Sequence, residues 1–153
     1  MDTIYRKIYT PQIGKSDCGA AALTMISKYY GYNYSLSTIT SLAKTNELGT
    51  TAFGIEEAAK KIGFKSKVIK ADMHIFNMEN LIYPFIVHVG NELSTMHYIV
   101  ILEKNENNLV IADPNPEYNI YTITLQQFQN NWSQIVILFE FVEYEKKLLN
   151  PDF

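Results

Sequence analysis

A chain of 153 residues with 47% hydrophobic and 19% charged side chains is one ordinary globular domain, long enough to bury a core without a staple. Its net charge of -3 and its two-residue basic runs, Lys60-Lys61 and Lys146-Lys147, offer no surface for several phosphates, which argues against a nucleic-acid partner. A single cysteine forms no internal disulfide and, with three scattered histidines, builds no zinc-type spacing, so no metal site is expected and a reducing compartment such as the cytoplasm is.

The N-terminal MDTIYRKIYT lacks the apolar region of a signal peptide, and no window approaches about 18 apolar residues, so neither a signal peptide nor a membrane span is expected. Residues 1–150 read as one domain, with 151–153 as the start of a linker, and disorder is expected only at the ends.

The first half reads as helical. A helix is expected over 18–30, with Ser16 and Asp17 as caps, Ala20, Ala21, Ala22, Leu23 and Met25 as good formers, and Gly31 as its stop. Ser35 or Ser37 caps a short second helix carrying Ile39, Leu42 and Ala43. A third spans 54–62, where Ile55, Ala58, Ala59 and Ile62 recur at helical spacing before Gly63. A short strand over 64–69 and a helical turn capped by Asp72 and running to Met78 follow.

The second half changes period. Runs at 84–89, 96–103, 109–112, 118–123 and 134–143 are β-branched and aromatic, separated by Gly, Asn or Pro, with a short helix expected over 124–131. Helices first and strands afterwards predict an α+β domain, a helical lobe packed on a largely antiparallel sheet.

Cys18 stands where the first of these helices begins. A lone cysteine is more often a buried core residue, but the positive end of a helix dipole favours the nucleophilic thiolate. Gly19 after it leaves room for a substrate backbone to approach. A nucleophile needs a base, and the base an orienting group. His74 lies in a polar segment and reads as a solvated surface residue. His97 opens a strand, and a hairpin folded about Asn105 or Glu106 brings it opposite, or within two residues of, Asp113, whose carboxylate would accept the Nδ1 proton. Asp113-Pro114 is also an ordinary turn signal. His88 is the runner-up base, since a hairpin about residues 90–95 would set it beside His97. For a developing oxyanion the donors are the Cys18 backbone N–H and the side-chain amide of Gln12.

The ordered set Gln12, Asp17-Cys18-Gly19, His97-Tyr98 and Asp113-Pro114 resembles the C39 peptidases, the papain-like domains at the N-termini of bacteriocin and peptide-pheromone ABC exporters. The segments AALTMISKYYG, GTTAFGIEEAAKKIGF, YPFIVHVG, HYIVILE and ADPNP extend the likeness over nearly the whole chain. The resemblance implies a papain-like fold and a cytosolic cysteine peptidase that cuts a precursor's leader after a Gly-Gly pair, coupled to export. Cys18 would be the nucleophile, His97 the proton carrier and Asp113 its orienter, with Gln12 and the Cys18 N–H at the oxyanion. A channel wide enough only for backbone would explain the Gly-Gly requirement by exclusion.

The implied partners are a precursor with a helical Gly-Gly leader and the membrane-spanning and ATP-binding domains of an exporter, which would hold this domain at the cytoplasmic side of a membrane. No cofactor is expected here, and ATP only in a separate domain, because no GxxxxGK[ST] pattern occurs. Leu42, Phe53 and Ile55 are candidates for reading the leader. Family members commonly carry a glycine shortly after Asp-Pro, where this chain has PNPEYN. Two other readings use the same residues: a non-catalytic docking module for precursor peptides, and a Cys-His-Asp acyltransferase.

Overall fold

The computed structural model describes residues 3–90 and 97–141. The expected start of a strand at Met96, residues 142–143 of the last strand and the linker at 151–153 lie outside the described residues. Helices come first: α1 (Thr3–Ile8), α2 (Cys18–Tyr29), α3 (Leu36–Leu42) and α4 (Ala52–Lys61). Then follow β1 (Phe64–Lys70), a 3-10 turn (Met73–Asn77), β2 (Phe85–Val89), β3 (His97–Asn105), β4 (Asn108–Ala112), β5 (Ile120–Thr124), α5 (Leu125–Gln129) and β6 (Trp132–Phe141). The six strands form one sheet in the order β1-β6-β2-β3-β4-β5, and each neighbouring pair is antiparallel.

Strand alternation gives the sheet two apolar faces, and both are covered. On one, Ile86, Tyr98, Val100, Leu102, Ala112 and Ile137 meet the helices through Ala22, Leu23, Ile26, Ile55 and Ala59. On the other, Phe85, Val87, Ile99, Ile101 and Val136 pack with Phe76, Phe128 and Trp132 from the 3-10 turn, α5 and the start of β6. Helix α2 is the middle of the helical layer: every residue from Cys18 to Ser27 is buried. Its two buried hydroxyls bond back to helix carbonyls, Thr24 Oγ1 to Ala20 O at 2.8 Å and Ser27 Oγ to Thr24 O at 2.8 Å, so neither is an orphan.

Most of the expected punctuation is found. Gly31 takes φ +93° after α2, and the Tyr32 N–H returns to the Ser27 carbonyl at 3.0 Å. Ser35, of the two serines considered, caps α3, and Asp72 caps the turn at Met73. Two differences concern helix starts. Helix α1 is an addition to the expected elements: a six-residue helix is too short for propensity to mark it, and its Ile8 is buried. Helix α4 begins at Ala52 with Thr51 as its cap, two residues before Gly54, the expected start.

Gly54 is instead an internal helix residue, whose missing side chain lets α4 approach α3. A Cβ built there would strike the backbone carbonyl of Ala43. Gly54→Ala is therefore expected to lower unfolding stability by about 1–3 kcal/mol despite alanine's better helix propensity. Urea denaturation checks this, and a stability equal to or above the parent would contradict it.

Candidate active site

Three elements converge on Cys18. It is the first residue of α2 and 8% exposed. The expected caps do not fill the first turn above it. Ser16 Oγ donates to the Glu47 carbonyl at 2.8 Å. The Asp17 carboxylate turns back on its own loop, accepting from the N–H groups of Ile13 and Gly14 at 3.0 Å each. No side chain bonds to the helix N-terminus. This departure from the sequence expectation keeps the positive end of α2 clear of a carboxylate beside the thiol.

Gly19 also differs from its expected role. It is buried, and a Cβ would lie 3.0 Å from Thr50 Cβ, 3.1 Å from Ile55 Cδ1 and 3.2 Å from Tyr98 Cδ2. Its small size seats α2 against β3 and α4, and does not open a path for substrate.

The hairpin joining β3 to β4 turns at Glu106 and Asn107, with Glu106 at φ 54° and Asn105 paired to Asn108. An irregularity between Ile101 and Glu103 shifts the pairing so that Val100 faces Ala112. Asp113, one residue beyond, therefore lies diagonally across from His97, within the expected two positions. Their contact is short: His97 Nε2 to Asp113 Oδ1 is 2.6 Å, with the two side chains 21% and 6% exposed.

The ring nitrogen involved is Nε2, whereas Nδ1 was expected. The Cys18 side chain also acts on His97, and with Nε2 taken by Asp113 the ring nitrogen left to meet it is Nδ1. Burial alone would lower the His97 pKa. The hydrogen bond and charge of Asp113, together with those of Cys18, outweigh it and push the imidazole up to about 9. His97 is thus an imidazolium at neutral pH.

Asp113 is itself held on several sides. Its Oδ1 also accepts from the Asn115 N–H at 2.9 Å, and Oδ2 faces the Tyr121 hydroxyl at 3.5 Å. Burial, followed by the Asp113 charge, raises the Tyr121 pKa, so its phenol stays protonated. The loop that carries PNPEYN closes without a glycine: Asn119 takes φ 57°, a conformation asparagine tolerates, and accepts from the Asp113 N–H at 2.8 Å. Tyr98 packs against this corner, its pKa pushed up to about 12 by burial and then by the charge on Cys18.

His88 is displaced from the place expected for it. It pairs with Tyr98, while Val89 pairs with His97, so His88 sits one register position away from His97. Its Nδ1 lies 3.0 Å from Ser133 Oγ, which donates at 2.7 Å to the His88 carbonyl. Burial and the positive His97 lower the His88 pKa and keep it neutral. It is a satisfied core histidine, not a second base. His74 is exposed and bonded to its neighbour Asp72 at 3.0 Å, as its polar surroundings suggested.

Gln12 sits at the edge of this corner. Its backbone N–H donates to the Pro114 carbonyl at 2.8 Å, and its Nε2 to the Gly14 carbonyl at 2.8 Å. Oε1 is buried with no partner among the described residues. An Nε2 group carries two N–H bonds, and Gly14 takes only one.

Of the three leader-reading candidates, Ile55 is excluded by position, being 0% exposed in the helical core. Leu42 packs partly buried against that core, and Phe53 is 69% exposed. Ile13 and Leu48, which were not singled out, are 87% and 98% exposed. Ile13 and the loop around Glu47 border a cavity of about 460 Å³ beside the Cys18 end of α2. A cavity of about 820 Å³ lies between α4, β1 and β6 and includes none of Cys18, His97 and Asp113.

Comparison with known proteins agrees with this geometry. The profile of the peptidase C39 family matches residues 6–142. The pediocin PA-1 transport/processing ATP-binding protein PedD of Pediococcus acidilactici is 41% identical over 134 residues, 88% of this chain and 18% of its own length. The chain thus spans under a fifth of that relative. The crystal structure of the peptidase domain of Streptococcus ComA, a bifunctional ABC transporter of a quorum-sensing pathway, superposes with a TM-score of 0.81 at 44% identity, covering 86% of this chain and 96% of that one. A double-glycine motif protease from an AMS/PCAT transporter, solved with its leader peptide, shares the fold at 21% identity, with a TM-score of 0.76 over 87% of this chain and 90% of its own. An α2 that opens on the lone cysteine, an antiparallel sheet that brings His97 onto Asp113, and a profile match over residues 6–142 make one statement: the chain belongs to the peptidase C39 family.

Proposed function

We propose that this chain is a cysteine endopeptidase domain that removes the leader of a bacteriocin or pheromone precursor by cutting after a Gly-Gly pair, in step with export. The observation that carries the reading is the continuous chain from Cys18 through His97 to Asp113 at the uncapped start of α2.

Cys18 Sγ attacks the carbonyl carbon of the second glycine, and the carbonyl oxygen becomes an oxyanion facing the Cys18 N–H and the free N–H of Gln12 Nε2. The imidazolium of His97 gives its Nδ1 proton to the departing amine, the C–N bond breaks, and a thioester remains. Water then attacks that thioester while Nδ1 takes its proton. The C–S bond breaks, the leader leaves as a carboxylate, and the thiolate–imidazolium pair is restored. Asp113 holds the ring throughout.

No helix among the described residues is long and apolar enough to cross a membrane. Exporter domains that span the membrane and bind ATP are the partners in this reading, with the peptidase at their cytoplasmic side and ATP bound outside this domain. The exposed apolar side chains Phe53, Leu48 and Ile13 offer anchors for a helical leader.

Incubation with a synthetic precursor carrying an amphipathic leader and Gly-Gly is expected to give two fragments by mass spectrometry, with none when the second glycine is replaced by valine. Intact substrate across several such leaders would overturn the reading.

A further inference from the structure

The three residues that join α1 to Gln12 run behind the site and, with Gln12, tie its parts together. The Tyr9 hydroxyl donates to the backbone carbonyl of Asp113 at 2.7 Å, and the Gln12 N–H to the next carbonyl, that of Pro114, at 2.8 Å. Between them Thr10, 6% exposed, donates to the Ile8 carbonyl at 3.0 Å and accepts from Lys28 Nζ of α2 at 2.9 Å. The segment therefore bonds to the helix that bears Cys18 and to the turn that bears Asp113, and it carries Gln12 itself.

The peptide groups of Asp113 are clamped on both sides, its N–H by the Asn119 carbonyl at 2.8 Å and its C=O by Tyr9. Without the second clamp the Asp113-Pro114 peptide is free to tilt, and the carboxylate tilts with it. The 2.6 Å contact with His97 has little slack for such movement. From this we infer that Tyr9 is a positioning residue for the peptidase reaction: its phenol, acting through the Asp113 carbonyl, fixes the carboxylate that orients His97 and keeps Gln12 in register with it. The Tyr9 ring packs partly buried against the helical core, so Phe at this position retains the packing and deletes only the donor. Burial and then the Asp113 charge raise the Tyr9 pKa, so the donor persists across the working pH range.

The inference rests on the peptidase reading for its substrate, and two readouts separate their failures. Tyr9→Phe is expected to lower kcat on a Gly-Gly precursor about 10-fold with KM within about twofold, the pattern of a misplaced orienter. In an Asp113→Asn background the same change is expected to cost under about twofold, because the two act on one step. The rate of Cys18 alkylation by iodoacetamide at pH 7, which needs no precursor, is expected to fall in parallel with kcat. A wild-type protein that cuts nothing, yet whose alkylation slows in Tyr9→Phe, would sink the substrate reading and keep the positioning role. Unchanged kcat and alkylation in folded Tyr9→Phe, or a full 10-fold loss added to that of Asp113→Asn, would overturn the positioning role.

Discussion

Cys18→Ala is expected to abolish cleavage, lowering kcat/KM by at least about 10⁴-fold, because residual binding and oxyanion stabilisation cannot replace a covalent nucleophile. The fold should survive. Alanine is the best helix former, and the position loses one sulfur from a site already 8% exposed. Cys18→Ser is expected to fail almost as completely. A hydroxyl in the same place is a far weaker nucleophile than a thiol and is not ionised by an imidazole, so the sulfur chemistry is lost although the position stays filled. Single-turnover cleavage followed by mass spectrometry, with circular dichroism on the same samples, checks both variants. Retention of more than about a hundredth of the parent rate by folded Cys18→Ala would remove Cys18 from the reaction.

Asp113→Ala is expected to have the next largest effect, about 10³-fold in kcat, and to move the pH profile. His97 is raised from 6.5 to about 9 against the pull of burial, with Asp113 as the foremost upward cause. Its proton is what the leaving amine needs, so activity in the parent falls as pH rises through about 9. Removing Asp113 leaves burial and Cys18, and the basic limb moves down toward the ordinary histidine range. Asp113→Asn retains an acceptor for Nε2 without the charge, and should fall between the two in rate and in limb position. The same ion pair contributes to stability with a defined sign. A folded-state value raised from 6.5 to about 9 gives stabilisation fully present below pH 6.5 and lost through pH 9. A basic limb that stays in place in both variants would contradict the assigned orienter.

Much of this site could be read from sequence because it rests on local signals. Cys18 at a helix start and Gly31 at its end are positional facts about one segment. The turn at Glu106-Asn107 limits which residues of β3 and β4 can meet, and the irregularity between Ile101 and Glu103 brings Asp113 one position nearer to His97 than counting from that turn gives. What failed depended on longer paths. Asp17 has the chemistry of a cap, but the N–H groups of Ile13 and Gly14 claim its carboxylate. His88 pairs with Tyr98, one residue from the expected partner, and its ring is taken up by Ser133 and Tyr98 instead. The choice between Nδ1 and Nε2 is set by ring orientation, which strand register does not contain.

Tyr9 was invisible for a different reason. It lies 104 positions from Asp113, among 11 tyrosines of similar apolar context, and nothing local separates it from the rest. Gly19 and Ile55 were visible but misassigned. Gly19 is interior because Thr50, Ile55 and Tyr98 close around the first turn of α2, and Ile55, whose helical spacing also marked it as a core position, is 0% exposed. Ile13 and Leu48, by contrast, are exposed apolar residues on loops, where periodicity carries no information.

The central claim is that the thiol of Cys18 is held as an activated nucleophile by His97 and Asp113, and alkylation tests it without knowledge of any precursor. Iodoacetamide is added near neutral pH to the folded protein and to the same protein in denaturant, and carbamidomethylation of Cys18 is timed by intact mass. The account predicts faster labelling in the folded state, despite the burial of Cys18, and labelling slowed toward the denatured rate in Asp113→Ala. Slower labelling when folded than when denatured would mark Cys18 as an inert core thiol and contradict the account.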